Sequence, residues 1–175
     1  MTELTHTDAA GRVRMVDVAE KPVTRRTAVA EGEIRMTRTA FEAIRAGDVK
    51  KGEALAVARI AAIGGAKATS HLIPLCHPVA LDAIDVDIEP VERWPGYRLT
   101  VGVSAEGRTG VEMEALSGVS AGLLALYDMC KALDRGMTLG PVRLLEKRGG
   151  RSGDWRAGAD DREDDDAPRA PRAEG

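Results

Sequence analysis

AIDVDIEPVERWPGYRLTVGVSAE, residues 83–106, changes side with every residue. Ile84, Val86 and Ile88 alternate with Asp85, Asp87 and Glu89, and beyond the turn at Pro95 and Gly96, Tyr97, Leu99, Val101 and Val103 alternate with polar or small residues. A period of two is that of a strand with one buried and one solvated face. The stretch predicts an antiparallel hairpin whose apolar side needs a cover.

Cover is available on both flanks. Residues 50–73, KKGEALAVARIAAIGGAKATSHLI, are helical in composition and nearly apolar from Ala54 to Ile63 apart from Arg59, which predicts a helix buried over most of its circumference. Its many alanines suit close packing, as against another subunit. Residues 113–133 place Leu116, Ser120, Leu123, Tyr127 and Cys130 at spacings of three and four, an amphipathic helix. Upstream, AVAEGEIRM reads as an imperfect strand, and Thr37 or Thr39 caps a short helix with Phe41 and Ile44 on its apolar face, ended by Gly47. MTLGPVRLLEKR, residues 137–148, supplies a last strand. The order strand, two helices, strand, strand, helix, strand predicts an α+β fold of ferredoxin-like split βαβ type, an antiparallel sheet with helices packed on one face.

Outside these elements the composition shifts. From Gly149 the chain has almost no aliphatic residues and is rich in Gly, Pro, Ala and charge, so 149–175 reads as a disordered charged tail. Residues 1–28 form a weakly periodic N-terminal segment, and 29–148 form the single domain. The tail holds five arginines and eight acidic residues, which accounts for the whole net charge of −3 and leaves the body neutral. A neutral body argues against a nucleic-acid surface held by bulk charge, though a pocket of concentrated positive charge for a small anion remains open. The N-terminus lacks the apolar run of a signal peptide and no stretch approaches ~20 apolar residues, so no membrane span and a cytoplasmic location are expected. The two cysteines, Cys76 and Cys130, make no disulfide framework.

Four stretches could carry chemistry. TGVEMEA, residues 109–115, fits a capping box of Thr109 with Glu112, yet Glu114 is surplus to capping, and either carboxylate could act as a base or bind a polar heterocycle. YDMCK places Asp128 and Lys131 on one helix face, where an ordinary i,i+3 salt bridge is the commoner outcome. Lys50 and Lys51 start a helix against its macrodipole, a placement that a bound anion or a carboxylate would repair, with an ordinary solvated pair as the even alternative. In SHLIPLCHPVAL, residues 70–81, neighbouring Cys76 and His77 point apart on an extended chain. That disfavours both a zinc site and a thiol nucleophile and leaves His77 as a hydrogen-bonding or proton-transfer group.

Taken together, MVDV at 15–18, KKGEALAVARIAAI, LIPLCHP, TGVEMEAL, YDMCKA and GPVRLLEKRGGRSGDW resemble the cyclic pyranopterin monophosphate synthases, the MoaC-type enzymes of molybdenum cofactor biosynthesis, from about Leu4 to Trp155. The resemblance implies a homohexamer, a trimer of dimers, with sites at the dimer interface to which the N-terminal segment contributes. It implies a lyase that converts (8S)-3′,8-cyclo-7,8-dihydroguanosine 5′-triphosphate to cyclic pyranopterin monophosphate with loss of pyrophosphate. Carried over by position, Asp128 matches the catalytic acid/base and Lys51 and Lys131 the essential lysines. Leu75, Cys76 and His77, with Glu112, Met113 and Glu114, match substrate contacts, and Arg26, Lys67 and Lys147 match positions that help hold phosphates. No protein metal site is expected; Mg2+ on the substrate phosphates is compatible with this inventory, and no residue cluster demands it.

Two other classes share the predicted fold. An RNA-binding module would use sheet aromatics, but only Phe41, Trp94, Tyr97 and Tyr127 precede the tail and no RNP-like run occurs. A non-catalytic nucleotide-sensing domain would bind without turnover and leave Lys51, Asp128 and Lys131 without a task.

Overall fold

The computed structural model describes residues 11–47 and 54–158. In chain order these form β1 (Thr24–Arg35), α1 (Arg38–Arg45), α2 (Ala54–Lys67), α3 (Thr69–Leu72), β2 (Ala83–Val91), β3 (Gly96–Gly107), α4 (Glu112–Cys130), β4 (Thr138–Arg148) and β5 (Trp155–Arg156). The strands make one antiparallel sheet in the order β2-β3-β1-β4-β5, with α2 and α4 against it. This is the expected α+β arrangement of ferredoxin-like type, extended by a fifth strand.

The hairpin pairs in register from Ala83 opposite Ser104 to Val91 opposite Gly96. Tyr97, Leu99, Val101 and Val103 turn inward and are at most 3% exposed. In β1 the inward residues Ala28, Ala30 and Ile34 join them, and Gly32 leaves room for Val119 and Leu123 of α4. Full burial of such aliphatic side chains contributes roughly 1.5–3 kcal/mol apiece, so this layer holds the helices down. The opposite face of the sheet is polar. Glu33 is 7% exposed there, held by Arg98 at 2.8 Å and Arg35 at 3.2 Å, while Arg143 donates to Glu31 at 2.9 Å.

Helix α1 begins as the sequence indicates: Thr37 Oγ1 accepts from the Ala40 amide, and Gly47 follows the helix at φ +75°. The amide of Thr37 donates to Asp134 at 2.8 Å, and Phe41 packs against Tyr97 with ring centroids 5.3 Å apart.

Helix α2 corrects one expectation. It is not buried all round but on a single stripe, Ala54, Ala58, Ala62, Gly65 and Ala66, while Ile60 is 71% exposed. The stripe exists because α2 lies directly on the small residues of α4. A Cβ on Gly65 would overlap Ala121 and stand 2.8 Å from the Ser117 carbonyl, and one on Gly122 would crowd Leu99 and Ala62. Arg59, the one charge in the helix centre, donates to the Val86 carbonyl of edge strand β2.

In α4 the buried face is Ala115, Val119, Leu123, Leu126 and Cys130 with Gly118 and Gly122; of the expected stripe, Leu123 and Cys130 are buried, Leu116 and Tyr127 only partly so, and Ser120 is exposed. The departure lies at Gly118 and Gly122, which close packing against α2 brings into the buried face. The capping box is also absent. Val111 occupies the N-cap position without a side-chain cap bond, and Glu112 is the first helical residue, too early to reach back three positions.

Two boundaries move. β1 starts at Thr24, inside the segment read as N-terminal, because Arg26 occupies an inward position at 8% exposure. Residues 149–156, read as the start of a tail, form a turn and β5, with Lys147 opposite Trp155 and Glu146 opposite Arg156. The Gly-rich composition that signalled disorder there serves a turn. Among the described residues no helix is long and apolar enough to cross a membrane.

Candidate functional site

The C-terminal ends of β3 and β4, the start of β1 and the start of α4 converge at one end of the sheet. Between them lies a cleft of ≈ 990 Å³, closed on one side by residues 16–22 of the N-terminal segment. Antiparallel pairing explains the convergence, since Thr24 lies opposite Gly107 and Thr27 opposite Arg148.

Positive charge dominates the lining. Lys21, Arg26, Arg108, Lys147, Arg148 and Arg151 oppose Asp17, Glu20 and Glu112. In a chain body that is neutral overall, an excess of three positive charges around one cleft gives it a field that attracts small anions. Arg26 is anchored by its Nε, which donates to the Gly107 carbonyl at 3.4 Å. Lys147 lies between two partners, donating to Ser152 Oγ at 2.6 Å and standing 3.6 Å from Glu112 Oε1. Arg108 donates to the Lys21 carbonyl at 3.1 Å, tying the N-terminal segment to the end of β3. His77 also faces the cleft.

Four of the sequence-derived candidates therefore meet in one place: Arg26, His77, Glu112 and Lys147. Lys21, Arg108 and Arg151 join them without having been singled out. A glycine on each side of Arg151, in GGRSGD, was the available signal of a tight turn that delivers charge.

Glu114 takes another direction. Two residues on from Glu112 in a helix, it turns into the protein and is 4% exposed. Burial raises its carboxyl above the ordinary carboxylate value, and the neighbouring Glu112 charge adds to the rise. Its field reaches Cys76, whose thiol is also raised, chiefly by burial and then by Glu114. A raised thiol is protonated at neutral pH and a poor nucleophile. Leu75, Cys76, Met113 and Glu114 thus form the ground beside the cleft rather than its lining.

Asp128 and Lys131 lie at the far end of α4, where Lys131 Nζ bonds Asp128 at 2.6 Å with both side chains about half exposed. An exposed pair of this kind contributes only ~0.3–0.5 kcal/mol to the helix. The 14-residue separation from Glu114 corresponds to ~21 Å of helix, so within one subunit the two groups do not share a site. Lys67, in the last turn of α2, is exposed and outside the cleft. Lys51 lies outside the described residues. Among the described residues no three His, Cys, Asp or Glu side chains gather as a metal site.

Fold and cleft define the class, a ferredoxin-like subunit with a basic cleft at the end of its sheet. A protein-family model described as the MoaC family matches residues 15–150, more than three quarters of the chain. The chain belongs to the MoaC family. Membership implies a role in molybdenum cofactor biosynthesis and a small-molecule, GTP-derived substrate.

Proposed function

We propose that the protein is a cyclic pyranopterin monophosphate synthase, acting on (8S)-3′,8-cyclo-7,8-dihydroguanosine 5′-triphosphate and releasing pyrophosphate. The observation that carries this reading is the gathering of Arg26 and Lys147 with Glu112 and His77 in one basic cleft of a MoaC-family chain.

The chemistry divides between two ends of the substrate. A hydroxyl on the sugar-derived part attacks the α-phosphorus, forming a P–O bond as the bond to the β-phosphate oxygen breaks, and pyrophosphate departs with the hydroxyl's proton. Charge grows on that leaving oxygen, and fixed cations stabilise it. Arg26 and Lys147 take this task, with Lys67 further out and any magnesium arriving on the substrate phosphates. Rebuilding the purine-derived ring requires repeated proton transfers, which we assign to Asp128, Lys51 and Lys131. His77 and Glu112 face the heterocycle, with the Leu75–Cys76 and Met113–Glu114 neighbourhood supporting them from beside the cleft.

Asp128 and Lys131 reach such a site only if a second subunit supplies them. The proposal therefore includes a dimer that joins the start of α4 in one subunit to its end in the other, within a homohexamer built as a trimer of dimers. Exposed Ile60 of α2 and Leu124 of α4, 71% and 61% accessible, support it, as apolar surface for a partner to cover.

Steady-state kinetics of Arg26→Met and Lys147→Met test the phosphate assignment. Each is expected to lower kcat/KM by about 100-fold, the order of effect seen when one charge-stabilising donor is removed. Wild-type kcat/KM in both variants would overturn it.

A further inference from the structure

The turn joining β4 to β5 fits the cleft's cations closely. Gly150 has φ +85°, and a Cβ built there would overlap Nη1 of Arg26, so the bare glycine backbone forms the surface on which that guanidinium lies. Two residues on, Ser152 Oγ accepts from Lys147 at 2.6 Å. The turn is closed by its own bonds, from the Gly149 amide to Asp154 Oδ1 at 3.0 Å and from the Gly153 amide to the Gly150 carbonyl at 3.1 Å.

We propose that the Gly149–Asp154 turn positions two cleft cations for a polyphosphate, Gly150 setting the guanidinium of Arg26 and Ser152 setting the ammonium of Lys147. Arg and Lys side chains lose rotamer freedom when they clamp an anion, and a scaffold that fixes them beforehand removes that loss from binding. Arg26 is held on both sides, by the Gly107 carbonyl and by Gly150. Lys147 is likewise held between Ser152 and Glu112. Gly150 and Ser152 are thus positioning residues, acting through the groups that touch phosphate. The inference rests on the proposed reaction in naming a triphosphate as ligand.

Gly153 provides the control. It has φ +70°, so alanine there strains the backbone as at Gly150, but nothing lies within 4 Å of the added Cβ. Calorimetric titration of the full chain with inorganic tripolyphosphate should show Gly150→Ala binding about tenfold more weakly than wild type and Gly153→Ala within about twofold of it. Ser152→Ala should weaken binding about fivefold and Ser152→Thr, which keeps the hydroxyl, should restore it. Equal losses in the two glycine variants, no restoration by threonine, or no binding by wild type would overturn the proposal. If Gly150→Ala fails to fold, the Ser152 pair decides. Wild-type binding that is lost in Gly150→Ala, without turnover of the cyclised nucleotide, would remove the reaction and leave the turn's role standing. Turnover with unchanged KM in Gly150→Ala would do the reverse.

Discussion

Glu114 is a carboxyl group carried into the protein by the first turn of α4, and its environment favours the neutral form. The sign of the consequence follows from its raised value. Below the ordinary carboxylate range both folded and unfolded chains hold the proton, and burial costs little. As pH rises from the ordinary value through the raised one, the unfolded chain ionises first, and folding stability falls. Glu114→Gln should therefore unfold at higher urea concentration than wild type at pH 7–8, by about 1 kcal/mol, with the gain vanishing near pH 4. A variant less stable than wild type at neutral pH would mean that the carboxylate has a charged partner. Cys76 makes a parallel prediction. With its thiol raised by burial and by Glu114, it should react with iodoacetamide several-fold more slowly than a free cysteine at pH 7.5 and recover as pH rises. Cys130, fully buried with its thiol pushed up to about 11, should not compete. Rapid alkylation of Cys76 at neutral pH would contradict this environment.

The crossing of α2 over α4 is the element-scale feature most open to test. Because Gly65 faces Ala121 and the Ser117 carbonyl, Gly65→Val should cost about 1–3 kcal/mol in urea unfolding, whereas the same change at Gly64, with open space around it, should cost less. Equal losses would mean that helix propensity, not the crossing, sets the cost. Some elements were legible in the sequence because their signals are local. The hairpin follows from strict alternation at Ile84, Val86, Leu99 and Val101, and α1 from Thr37 and Gly47. The buried stripe of α4 was not legible in the same way, since Gly118 and Gly122 carry no hydrophobic signal until α2 is known to lie on them. β5 was hidden for a related reason: a two-residue strand after a glycine turn has too little apolar surface to register.

At the scale of the molecule, the sheet brings together Arg26, Lys147 and Arg108 from three strand ends that are distant in sequence. Their residue types were visible in the sequence, but their convergence depends on the antiparallel register, which no short motif states. Asp128 and Lys131 were visible too, and the fold places them at the opposite end of α4. The shared-site proposal predicts that inactive Glu114→Ala and Asp128→Ala subunits, mixed and exchanged, regain roughly a quarter of wild-type activity, as random pairing forms sites free of both defects. Continued inactivity after verified exchange would count against it. Catalysis itself is tested most directly by incubating the wild-type protein with (8S)-3′,8-cyclo-7,8-dihydroguanosine 5′-triphosphate and measuring pyrophosphate and pterin together. A synthase releases one pyrophosphate for each cyclic pyranopterin monophosphate formed, whereas tight binding of authentic substrate by folded protein with no release would identify a nucleotide-sensing domain and contradict the proposed function.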